Sequence, residues 1–239
     1  MDQEVDNPIF LFQAFILPVS KALGEISGLA INAKGQLIAF HRADREWEAS
    51  SFDDKEVFNK KLGHIKNATI AVIDPSNGKL FVCVVAVYVY ASTDDNIVHS
   101  SDEMGPSEFV IPHSLALIED MNLICVADRE NERVQCFSAG LAEGHRTIPA
   151  GIPITSAEQI GRVYAIREKK HYLVGVTGRD EEDQLPPQMF VMDMTNGKAN
   201  TFIKGIENAH SLAISDEGTV FISQMHPNQI IQISLPEQA

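Results

Sequence analysis

The chain has 239 residues, 44% of them apolar, and a formal net charge of −14 at pH 7. That length allows one large domain or two small ones with a real core. The acidic balance excludes nucleic acid and anionic membranes as natural partners, because both call for a basic face.

The first apolar run, "IFLFQAFILPV" at 9–19, has the length of a signal h-region. It follows "MDQEVDNP", which holds three acids and no base where a signal peptide carries positive charge. A buried edge or closing strand is the preferred reading, and no convincing signal peptide is expected. No run reaches the roughly 18 apolar residues that span a bilayer.

From there on, short apolar stretches alternate with Gly, Asn and Asp turns: "LAINAKGQLIAF", "TIAVIDPSNGKLFV", "LALIEDMNLICVA", "YLVGVTG", "MFVMDMTNGK" and "LAISDEGTVFIS". This is the pattern of many antiparallel strands joined by tight turns. The stretches also repeat. "SGLAINAKGQLIAFHRAD" (27–44), "HSLALIEDMNLICVADRE" (113–130) and "HSLAISDEGTVFISQMHP" (210–227) share a phrase built on Leu-Ala-aliphatic, four turn residues, a second strand and a polar loop. "VIDPSNGK" (72–79) is echoed by "VMDMTNGK" (191–198). The two histidines of the phrase, His113 and His210, lie 97 positions apart, two blades at roughly 40 to 50 residues per blade. "YAIREKKHYLVGVTGRD" (164–180) fits as the degenerate blade between them. The spacing predicts an all-β fold, a β-propeller with about four recognisable blades in one domain over 1–239. Residues 80–106 break the pattern with a run lacking alternation and then a polar stretch.

"FVIPHSLALIEDMNLICVADRENERVQCF" (109–137), "LIAFHRADREWEASSFD" (37–53) and "GIENAHSLAISDEGTVFIS" (205–223) resemble the peptidyl-α-hydroxyglycine α-amidating lyase family, which is built of NHL-type blades. The resemblance is specific over 24–79 and 107–235. It implies a six-bladed propeller, of which about two central blades are missing here, with the aberrant 80–106 segment in their place. It implies cleavage of peptidyl-α-hydroxyglycine to a peptide amide and glyoxylate, the last step of C-terminal amidation. The implied substrates are α-hydroxyglycine-extended peptides, the implied companion is a peptidylglycine monooxygenase domain or protein, and the implied location is the secretory pathway.

The resemblance also implies a zinc ion held on the axis by three histidines. His113 and His210 match two of them. The third, in a Pro-His-Gly-Leu phrase, is not found, nor is the catalytic tyrosine of an Asp-Gly-Tyr-Cys phrase. Zinc takes about three protein ligands and an open position for substrate, where it acts as a Lewis acid. Tyr88, Tyr90, Tyr164 and Tyr172 have no such motif context. Arg42 and Arg129 match the family's two essential arginines. One binds the substrate carboxylate through its forked donors and the other favours the tyrosinate. The bland alternative for either is an ion pair, for example with Asp44 or Asp128. A structural calcium is implied through the backbone of Leu29, but the aspartate position beside the last zinc histidine is Ser211, a weaker ligand.

Three cysteines, Cys83, Cys125 and Cys136, are too few for a disulfide-built scaffold. A hairpin turn centred between Glu130 and Asn131 sets Cys125 opposite Cys136, near enough for a bridge. The resemblance implies a disulfide there, hence an oxidising compartment. Asn67-Ala68-Thr69 is an N-glycosylation sequon. The competing expectation is a catalytically inactive propeller fragment that binds peptides or proteins.

Overall fold

The computed structural model describes residues 14–46, 48–53, 59–62, 67–83, 109–141, 149–180 and 184–234. Sixteen strands there form four antiparallel sheets of four strands each. The chain opens with β1 (Ala14–Ile16). Blade 1 is β2 (Ile26–Ile31), β3 (Leu37–His41), β4 (Ile70–Ile73) and β5 (Leu80–Cys83). Blade 2 is β6 (Pro112–Ile118), β7 (Leu123–Asp128), β8 (Arg133–Ser138) and β9 (Pro153–Ala157). Blade 3 is β10 (Val163–Lys169), β11 (Tyr172–Thr177), β12 (Gln188–Asp193) and β13 (Ala199–Lys204). Blade 4 is β14 (Ala209–Ile214), β15 (Thr219–Gln224) and β16 (Gln229–Ser234), with β1 as its fourth strand.

The all-β reading and the four blades hold. The N-terminal apolar run supplies the closing strand, with Ala14 paired to Ile233 and Ile16 to Ile231. That strand is exposed, unlike the buried strand expected, and only Leu17 just beyond it enters the core. Leu80–Cys83 completes blade 1, while 84–106, including Tyr88 and Tyr90, lie outside the described residues.

Blades bury both faces where they have neighbours, so inner strands read as apolar runs with little alternation. Three buried clusters mark three junctions. One joins blades 2 and 3 around Ile118, Ile166 and Leu173. Another joins blades 1 and 4 around Leu29, Leu37 and Phe221. The last joins blades 3 and 4 around Val176, Met189 and Leu212. Each fully buried aliphatic side chain contributes about 1.5–3 kcal/mol. Among the described residues no such cluster joins blades 1 and 2. On β6, Leu115 and Leu117 stand 60% and 47% exposed.

The echoed phrases form the same turn twice. Asp74 accepts hydrogen bonds from Ser76 and Asn77, and Asp193 does so from Thr195 and Asn196. Each turn ends in a left-handed glycine, Gly78 at φ 69° and Gly197 at φ 71°. A methyl on Gly197 would sit 2.5 Å from Thr155 Oγ1 and 2.8 Å from the Ser156 carbonyl, in the neighbouring blade. Gly197→Ala should therefore destabilise the protein by more than about 1 kcal/mol, from backbone strain plus the clash. Equilibrium unfolding in urea would measure this, and an unchanged midpoint would refute it.

Candidate active site

The inner strand of every blade carries one extra residue against its partner strand. The pairing skips Ser27 in β2, His113 in β6, Tyr164 in β10 and His210 in β14. A bulge of this kind re-aims a side chain. Here it turns equivalent residues of different blades toward one point. The His113 and His210 ring centroids are 4.8 Å apart. The Tyr164 ring packs against both, at 5.1 Å from His113 and 5.8 Å from His210.

The repeated His-Ser pair has a further task. His113 Nδ1–H donates to the Tyr164 carbonyl at 2.6 Å, and His210 Nδ1–H donates to the Ser27 carbonyl at 3.1 Å. The serines that follow accept from backbone N–H groups two residues further on. Ser114 Oγ accepts from Ile166 at 3.3 Å, and Ser211 Oγ accepts from Leu29 at 3.1 Å. Each His-Ser pair thus fastens its blade to the inner strand of the next. It also fixes the tautomer: a carbonyl cannot donate, so Nδ1 carries the proton and Nε2 keeps its lone pair.

Both imidazoles are held neutral. Burial pushes the His113 pKa down, and the Arg129 charge adds to this against the opposing Tyr164 hydrogen bond. Burial, then the neighbouring His113, brings His210 to about 4. Neutral imidazoles with Nδ1 bound to a carbonyl and Nε2 free are in the state of metal ligands. They fit two of the three positions expected of a zinc site, and no group of three or more His, Cys, Asp or Glu among the described residues completes it. At the expected calcium position, Ser211 Oγ accepts from the Leu29 N–H and is a neutral oxygen, a weaker ligand for a hard cation than a carboxylate.

The two arginines pair with carboxylates other than Asp44 and Asp128. Arg42 pairs with Glu25, which also meets His226 Nε2 at 3.0 Å. Arg129 Nε bonds Glu130 Oε1 at 2.7 Å, and its guanidinium carbon lies 5.3 Å from the Tyr164 ring centroid. Asp128 instead accepts from Arg133, Asn131 and the Val110 N–H, which sets the turn that carries Arg129. Asp44 accepts from the Asn67 N–H at 3.4 Å. His41 Nδ1 accepts from the N–H groups of Gly24 and of Ala43, the residue after Arg42. A cleft of about 340 Å3 opens beside this centre, lined by Arg162, Tyr164, Arg179, Asn208, His210 and His226 among others.

Cys125 and Cys136 pair across β7 and β8 and form a disulfide, as expected. Sequence reasoning set Tyr164 aside for want of a motif and did not single out Arg162. The signal was available for Tyr164, because it occupies the position of the two histidines in the degenerate blade.

In the metal-free chain, His210 should show the Nδ1–H tautomer by NMR at pH 7 and titrate near 4. The unfolded chain binds this proton at a higher pH, so stability should fall as pH drops from about 6.5 toward 4. Titration of His210 near 6.5 would contradict both. Ser211→Ala leaves the Leu29 N–H buried without a partner and should cost about 1–3 kcal/mol in denaturant unfolding.

A model of the NHL repeat matches residues 109–137. Peptidylglycine alpha-amidating monooxygenase of Rattus norvegicus is 27% identical over 330 residues, covering 100% of this chain and 32% of that protein. A probable peptidyl-alpha-hydroxyglycine alpha-amidating lyase of Caenorhabditis elegans is 41% identical over 296 residues, covering 90% of this chain and 84% of that protein. The aligned span exceeds the 239 residues of this chain, so the worm protein has internal positions without counterparts here. With that identity held across most of both sequences, the chain belongs to the peptidyl-alpha-hydroxyglycine alpha-amidating lyase family.

Proposed function

We propose that this protein is a peptidylamidoglycolate lyase, cleaving peptidyl-α-hydroxyglycine into a peptide amide and glyoxylate. The observation that carries the reading is the meeting of His113, His210 and Tyr164 at the inner-strand bulges, with the Arg129 guanidinium over the Tyr164 ring, in a chain of this lyase family.

The substrate is a carbinolamide with a free carboxylate. Its hydroxyl proton leaves, the C–N bond breaks, and the amide nitrogen takes up a proton. His113 and His210 would hold zinc through Nε2, and zinc when bound supplies Lewis-acid polarisation of a substrate oxygen. The guanidiniums of Arg129 and Arg42 stay charged and suit a carboxylate. Tyr164 is the group placed to take up the hydroxyl proton. It is the tyrosine brought to the imidazoles, and Arg129 lies over its ring. The buried Cys125–Cys136 bond favours an oxidising compartment, in keeping with peptides of the secretory pathway and a monooxygenase partner that supplies the hydroxylated peptide.

A second reading, an inactive propeller that only binds peptides, is favoured by one finding: among the described residues no third His, Cys, Asp or Glu joins His113 and His210 in a group able to hold a metal ion.

Glyoxylate release from a short peptide ending in α-hydroxyglycine separates the two. The lyase should release glyoxylate above the uncatalysed rate, lose this to a zinc chelator, and lose it again in His113→Ala and His210→Ala. Tyr164→Phe should lower kcat by about 100-fold or more with little change in KM, as for loss of a proton-transfer group. No release by the intact chain would leave the binding reading.

A further inference from the structure

Arg162 has no part in the sequence reading, yet it stands at the mouth of the cleft with Tyr164 and His210. Its Nε donates to Glu130 Oε2 at 2.9 Å, while Arg129 Nε donates to Glu130 Oε1 at 2.7 Å. One carboxylate therefore holds two guanidiniums side by side. Both are only partly exposed, at 30% for Arg162 and 24% for Arg129. Each uses its Nε, and the terminal nitrogens of both make no hydrogen bond among the described residues. Glu132 adds electrostatic attraction to Arg162. In a chain with a net charge of −14, two guanidiniums sharing one bonded carboxylate are a local surplus of positive charge.

Arg179 and His226, which also line the cleft, have carboxylate partners. Arg179 Nη2 bonds Glu207 at 3.0 Å and His226 bonds Glu25 at 3.0 Å. Open donor capacity thus concentrates on the Arg129–Glu130–Arg162 unit. Terminal guanidinium nitrogens bind a carboxylate through paired, charge-assisted hydrogen bonds. A carbinolamide whose reacting carbon meets the imidazoles carries its carboxylate one bond away.

We infer that Arg162 is a carboxylate-binding residue of this site, and that Glu130 is a positioning residue that sets Arg162 and Arg129 at a common spacing. The inference rests on the lyase reading for its substrate but not for its test. Arg162 makes the site select ligands ending in a free acid. Glu130 acts only through the two arginines.

The test is calorimetric binding of N-benzoylglycine and of its methyl ester to the full chain. The intact protein should bind the acid at least about tenfold more tightly than the ester. Arg162→Met should lose about tenfold or more for the acid and leave the ester unchanged. Arg162→Lys should recover part of the loss, because it restores charge without the fork. Glu130→Gln should weaken acid binding in the same selective way. Equal affinity of the intact chain for acid and ester, or no binding of either, overturns the inference. So does an Arg162→Met change that leaves acid binding intact or weakens both ligands alike. Glyoxylate release keeps the two readings apart. Arg162-dependent selection of the acid without release removes the lyase and keeps this site. Release with selectivity unmoved by Arg162→Met does the reverse.

Discussion

The structure depends on an inner-strand bulge followed by a hydrogen bond to the next blade. A regular strand would alternate its side chains between the two faces of the blade. The extra residue at Ser27, His113, Tyr164 and His210 breaks that alternation once per blade, always at the same place. The rings of His113, Tyr164 and His210, released from the pairing, meet one another. The bonds from His113 to the Tyr164 carbonyl and from His210 to the Ser27 carbonyl use that freedom to join adjacent blades. The feature that builds the site is thus also one that assembles the fold. Replacing either histidine disturbs both, and the neutral, oriented imidazole follows from packing before any metal is considered.

The charged groups follow a second economy. Three arginines near the centre, Arg42, Arg129 and Arg162, are each tied to a glutamate, and two of them to the same one. Burial alone would penalise such charges, while a full complement of carboxylates would cancel them. Sharing Glu130 avoids both outcomes. It orders two long side chains and leaves donors open. Asp128, fully buried against Arg133, Asn131 and the Val110 N–H, holds the turn from which Arg129 and Glu130 project. The phrase "VADRENERVQCF" is therefore a continuous machine part: strand, turn with its own ion pair, site arginine, and a disulfide beneath.

Much of this is legible from the repeat. Equivalent positions in different blades converge on the axis, so His113 and His210 are found together although 97 positions separate them. The hairpin register follows from turn length, so Cys125 meets Cys136. What a motif search passes over is Tyr164. Its blade has drifted in sequence, and the motif search looks for a tyrosine elsewhere. Its backbone keeps the bulge, and the bulge decides where its ring goes. Arg162 is hidden for a different reason. Its partner, Glu130, lies in another blade, and nothing local to "GRVYAI" announces the pairing.

The same distinction holds for the core. Sequence by itself determined the strands, the blades, the histidine pair and the cysteine register, because each depends on local period or turn length. It could not determine which apolar side chains are buried. Leu29, Leu115 and Leu212 occupy equivalent places in one repeated phrase. Leu29 and Leu212 are 4% and 0% exposed, while Leu115 is 60% exposed. The difference lies outside the phrase. Leu29 is covered by blade 4 and Leu212 by blade 3, whereas no buried cluster covers the corresponding face of blade 2 among the described residues. Burial belongs to the contact between blades and not to the residue, so the tertiary structure alone decided it.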